Sequence, residues 1–220
     1  MNGKHQSLID SLSSDIENKQ RTVLSANRVT ALWLFIYIPL LASVMWWLAP
    51  FRDNVITQLL TTPRFALETV LGFLSVSLLA YCAIKSSVPG SLSRPIFWLT
   101  VSITVSWIGH ISFGLYVPTL EPSMAGKRPQ CYFEALYYSV PASIVLNILV
   151  LRRYTLTPFT SGLQAGASAG LITALMMQLA CMYDAYHGLT HHLLPAAAVA
   201  LVSGVAVYLI AAISKRSAGA

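Results

Sequence analysis

Six stretches of mostly apolar residues, each long enough to cross a bilayer, constrain this chain more than anything else in it. They run over 31–48, 65–84, 95–116, 132–151, 162–183 and 193–213. A stretch of about 18 or more apolar residues spans the ~30 Å hydrocarbon layer as a helix. No water reaches the backbone there, so each segment must satisfy its own amides. The 220 residues are 55% hydrophobic and only 10% charged, where a soluble domain is about a quarter charged. The expected fold class is therefore all-α: an integral membrane bundle of six transmembrane helices. With most of the chain in lipid, no room is left for a soluble catalytic domain, and no enzyme is expected. The first 28 residues are polar and include Asp10, Asp15 and Glu17. A cleaved signal peptide would not carry them, so the first span reads as an uncleaved anchor.

Short loops carry the orientation signal. If the N-terminus is cytoplasmic, the inner side holds Lys4, Lys19, Arg21, Arg28, Lys85, Arg94, Arg152, Arg153, Lys215 and Arg216. The outer side holds only Arg52, Arg64, Lys127 and Arg128. Both termini are then cytoplasmic, and the net charge of +6 reflects basic loops at one membrane face rather than affinity for nucleic acid. The chain divides into a cytoplasmic tail (1–28), a transmembrane domain (29–214) and a short cytoplasmic C-terminal tail (215–220).

Two of the three cysteines fall at one end of this bundle. Cys131 opens the fourth span and Cys181 closes the fifth, with the Arg152–Arg153 turn between them. At 1.5 Å per residue each lies roughly 30 Å from that turn, so both thiols face the non-cytoplasmic side. In the fifth span Gly162, Gly166, Gly170 and Ala174 recur every four residues. They form a small-residue face that admits a neighbouring backbone. Continuing that spacing places Cys181 on the same face, pointing at protein.

Other ligand-capable groups gather near the two thiols: Glu134, Asp184, His187, His191 and His192. His187 and His191, spaced i, i+4, share a face if their loop is helical. Thiolates with imidazoles suit a soft or borderline metal. Two thiols alone suit a reversible disulfide if their Cα atoms come within about 7 Å, and a purely structural disulfide is a third reading in an oxidising compartment. No Cys-x-x-Cys is present, so the strong zinc and thioredoxin spacings are missing. Cys82, at the opposite end, reads as a small apolar filler. Within the membrane, His110 is expected to pair with a neighbouring hydroxyl such as Ser112 or with a carbonyl. Glu68 is expected to pair with Arg64 one turn away.

In the N-terminal tail Leu8, Ile9, Leu12 and Ile16 recur at helical spacing. Ser7 is a candidate cap, and Asp10, Asp15 and Glu17 lie on the polar side. A helix this short is marginal alone. Its polar face is acidic, which favours a protein partner over the basic-face habit of membrane-surface helices.

Taken together, the chain resembles the NrsF-type anti-sigma factors, six-span inner-membrane regulators of extracytoplasmic-function sigma factors. The matching residues are Thr62-Pro63-Arg64-Phe65, Cys131 with Ser139 and Pro141, Leu151-Arg152-Arg153, Pro158, the Gly162/Gly166/Gly170 stripe, and Leu179-Ala180-Cys181 with His187, His191 and Pro195. The resemblance covers most of the spans and is best from Cys131 onward. It implies a protein of the bacterial inner membrane that sequesters a sigma factor on its cytoplasmic side, without touching nucleic acid itself. A stress such as oxidant or heavy metal would act on Cys131 and Cys181 and release the partner. No cofactor is expected beyond a transient soft-metal ion. The rival readings are a membrane thiol oxidoreductase, which would want cysteines paired in one loop, and a small metal transporter, for which His110, Gln164 and Gln178 are thin material.

Overall fold

The computed structural model describes residues 25–48, 51–88, 90–153 and 155–218, the last four by backbone alone. The tail residues Leu8, Ile9, Leu12 and Ile16 lie outside the described residues. Among those described, six helices are long and apolar enough to cross a membrane. They are α1 (Ala26–Leu48), α3 (Pro63–Ser86), α4 (Arg94–Phe113), α5 (Cys131–Leu151), α6 (Pro158–Ala180) and α8 (Leu194–Ala218). A short α2 (Val55–Thr61) follows α1. A single turn, α7 (Ala185–His187), runs through a π-helical turn (Gly188–Leu193) into α8. The helix starts follow local signals: Pro63 and Pro158 open α3 and α6 and Pro95 is the second residue of α4, positions where proline's missing N–H costs nothing.

The bundle is built around α6. Of its apolar window 83% is buried within the protein, against 17–44% for the other spans, so α6 is the core and the rest form its wall. Its small residues explain why. A Cβ placed on Gly162 would sit 2.7 Å from the Ser203 carbonyl oxygen, one on Gly166 2.5 Å from Ser203 Cβ, and one on Gly170 2.6 Å from Ala196 Cα. The stripe therefore packs antiparallel against α8 with no space for a side chain, as its spacing predicts. Polar pairs fasten the remaining helices. Ser143 and Ser203 hydroxyls meet at 2.6 Å, and Ser168 donates to the Val76 carbonyl at 2.9 Å. Peripheral α4 is keyed in by Trp107, whose ring fills the notch over Gly72.

Two expectations about membrane-depth charges are corrected. Arg64 does not pair with Glu68: it donates to the Val117 carbonyl at 3.2 Å and lies over the Phe113 ring, while Glu68 turns inward. His110 does not pair with Ser112, whose hydroxyl donates to Ile108 in its own helix. His110 Nδ1 instead lies 3.4 Å from the Glu68 carboxylate.

Candidate functional site

Cys131 and Cys181 meet at the end of the bundle where α5 begins and α6 ends. Their sulfurs are 2.7 Å apart, both thiols are free, and they are only 2% and 0% exposed. Two local structures place them. Cys131 is the first residue of α5, and its thiol also lies 3.3 Å from the Arg128 carbonyl. Cys181 closes α6: its amide donates to Met177 at 2.7 Å, and its backbone then turns extended (φ −94°, ψ 174°). The helical stripe thus stops at Ala180. Cys181 faces protein, as expected, because of this extended cap.

The π-helical turn brings the imidazoles. His187 Nε2 lies 3.5 Å from the Cys181 sulfur, and His192 is 3% exposed with its ring edge-on to His187. One ligand atom from each of Cys131, Cys181, His187 and His192 falls within 4.8 Å of all the others. Met45, Met176, Met177 and Met182, with Leu41 and Ala180, sheathe the two cysteines. The hydrogen bond from Cys131 pulls the Cys181 thiol well below the ordinary thiol range. Burial opposes this, while His187 and His192 add to it.

The other sequence candidates serve as supports. His191 stacks on His187 at 4.3 Å between centroids and pairs with the Thr190 hydroxyl. Asp184 accepts the His187 amide at 2.7 Å, capping α7. Glu134 accepts from Arg128 at 2.9 Å. Arg128 is 5% exposed and also reaches the Met45 carbonyl at 3.5 Å, tying α1 to the start of α5.

A second polar centre adjoins the first and is not evident from sequence. Glu68, 1% exposed, accepts from Gln178 at 2.6 Å, Tyr183 at 3.0 Å and Thr119 at 3.3 Å. Burial, then the neighbouring carboxylate, holds the Tyr183 phenol above its ordinary range, so it stays a donor. Arg52, 4% exposed, donates to the Cys181 carbonyl at 3.3 Å and lies over the Phe65 and Tyr183 rings. Between the centres a cavity of about 20 Å³ is lined by Glu68, Gln178, Tyr183, Asp184 and His192, room for about one water. The available signal for Glu68 was its depth in an apolar span; for Arg52 and Arg128 the sequence offers only a positive charge in a loop.

The donor set fits a tetrahedral soft or borderline ion. With metal–sulfur bonds of ~2.3 Å, two thiolates on one ion stand roughly 3.7 Å apart. The two sulfurs, in direct contact, are close enough either to share one ion or to close to a disulfide of about 2.05 Å.

Fold and site define a polytopic α-helical membrane protein with a buried dithiol–imidazole cluster at one end of its bundle. The chain belongs to the NrsF family, negative regulator of sigma F, whose family model matches residues 12–211, nearly its whole length. No curated protein matches it, and no solved structure does.

Proposed function

We propose that this protein is a non-enzymatic anti-sigma factor of the bacterial inner membrane, and that the Cys131–Cys181 pair is its stress sensor. Both termini lie in the cytoplasm, where the tail carrying Leu8, Ile9, Leu12 and Ile16 holds an extracytoplasmic-function sigma factor away from RNA polymerase. The thiol cluster faces the periplasm. Oxidant joins the two sulfurs, or a soft metal ion takes them together with His187 and His192, and either event changes how α5 and α6 meet. A switch of this kind must favour the releasing state by several kcal/mol to move the partner from mostly bound to mostly free.

The observation that carries this reading is the contact between two buried thiols from different helices, at the end of the bundle opposite the Arg152–Arg153 turn. A mid-membrane transport path would want such ligands near the bilayer centre.

The test replaces Cys131 or Cys181 by serine and follows sigma-dependent transcription with and without a thiol oxidant or cadmium. Loss of induction in both variants is expected. Normal induction in both would discard the sensor assignment. For the tail, exchanging Leu8, Leu12 and Ile16 for glutamate should abolish co-purification of the sigma factor with membranes. Retention would move the binding surface to the loops around 85–94 and 152–161.

A further inference from the structure

The Glu68 carboxylate gathers partners from three other parts of the chain. His110 comes from α4, Thr119 from the α4–α5 connection, and Gln178 and Tyr183 from either side of Cys181. Gln178 precedes that cysteine by three residues and Tyr183 follows it by two. Between these two attachments the chain leaves the helix, and Cys181 itself is extended. Past its own amide bond to Met177, its carbonyl is held by Arg52 at 3.3 Å. The direction of the Cys181 sulfur is therefore fixed largely by two side-chain bonds that converge on one buried carboxylate of α3.

We propose that Glu68 is the positioning residue of the dithiol: gripping both flanks of Cys181, it holds that sulfur against Cys131 of α5. The proposal rests on the reading of Cys131 and Cys181 as a reactive pair. A carboxylate suits the task because it accepts on both oxygens at once. Gln178 uses Oε1 while Tyr183 and Thr119 use Oε2. A glutamine there would keep the volume but offer one acceptor oxygen, and its NH2 would face a donor. One flank of Cys181 would then come loose.

The test uses the full chain purified in detergent and equilibrated with glutathione disulfide and glutathione. Two thiols of the protein and one glutathione disulfide give one Cys131–Cys181 disulfide and two glutathiones. The two electrons and two protons leaving the protein reduce the reagent. The oxidised fraction is read as a mass shift after alkylation. Glu68→Gln is expected to lower the equilibrium constant for the internal disulfide by about tenfold, because the loosened Cys181 side chain must be ordered again when the disulfide forms. Mixed disulfide with glutathione should accumulate in its place. Gln178→Met and Tyr183→Phe should each reproduce part of the shift. Glu121→Gln, at an exposed carboxylate, should change the constant by less than about twofold. If Glu68→Gln moves the equilibrium no more than Glu121→Gln, or lowers the melting temperature while leaving the thiol equilibrium unchanged, Glu68 is a packing residue only and the proposal fails. No sigma factor enters this measurement, so it stands or falls separately from the transcription test above.

Discussion

Substituting Gly170 by alanine should loosen the imidazole half of the thiol cluster from a distance. The new Cβ would lie 2.6 Å from Ala196 Cα and 2.8 Å from the Ala196 carbonyl oxygen. These are backbone atoms that cannot swing aside. Ordinary contact needs about 3.5–4.0 Å, so α6 and α8 must part by about 1 Å where they cross. Ala196 lies only four residues past His192 on the same continuous helical segment. The displacement therefore reaches the π-helical turn and carries His187 from 3.5 Å beyond hydrogen-bonding distance of Cys181. Cys131, on α5, is not pushed. Overpacking of this kind costs about 1–3 kcal/mol, enough to lower cadmium or zinc affinity by roughly one to two decades if the helix shift falls on the bound state. The assay is metal competition against a chromophoric chelator on the purified protein, paired with thermal unfolding in detergent. Gly109→Ala is the internal control, since nothing lies within 4 Å of its added Cβ. If Gly170→Ala and Gly109→Ala have the same melting temperature and the same metal affinity, the reading of α6–α8 packing as the support of this cluster is wrong.

Three further outcomes are expected. Because Cys131 is the main reason the Cys181 thiol ionises early, alkylation of Cys181 should vary little between about pH 6 and 8. In Cys131→Ala it should climb with pH as for an ordinary thiol of pKa ~8.5. Peptide mass spectrometry reads both profiles, and identical shapes would contradict that role for Cys131. Glu134→Gln leaves the guanidinium of Arg128, 4% exposed against 24% for Glu134, without its carboxylate. A loss of about 2 kcal/mol, between the surface and buried limits, should appear in detergent unfolding, and an unchanged curve would show that the pair contributes nothing. Gly72→Ala puts a methyl 2.7 Å from the Trp107 ring and should free α4 from α3, seen as faster proteolysis of the 87–93 turn; wild-type cleavage rates would refute that role for the notch.

Much of the architecture was legible because lipid imposes a length requirement that a one-dimensional reading can detect. All six spans fall where apolar length predicts them, although α1 begins at Ala26, earlier than the apolar run suggests, and helix already starts at Ala185 before the last span. Depth was enough to place both cysteines at one end of the bundle, since each lies one helix length from the same turn, but not to show that their sulfurs touch. Two features were not legible. The i, i+4 spacing of Arg64 and Glu68 suggests a local ion pair, but the arginine finds a carbonyl and an aromatic face, and the carboxylate finds donors as far as 115 residues away. Such partners have no signature in a short window. The second concerns the histidines. His187 and His191 do share a face and stack, as α-helical spacing predicts. The π-helical turn repeats nearer five residues than four, and it is His192 that joins His187 at the sulfurs.

The glycine seam of α6 bears on how the chain is assembled. Of the six spans, α6 is the least apolar, with Ser161, Gln164, Ser168 and Thr173 all shielded from lipid by neighbours. The neighbour that fits its groove, α8, lies C-terminal to it and leaves the ribosome later. Until then α6 resides in the bilayer with its grooved side uncovered. A chain halted before residue 194 would lack the partner for that groove, so the packing of α6 is completed only once α8 has been made.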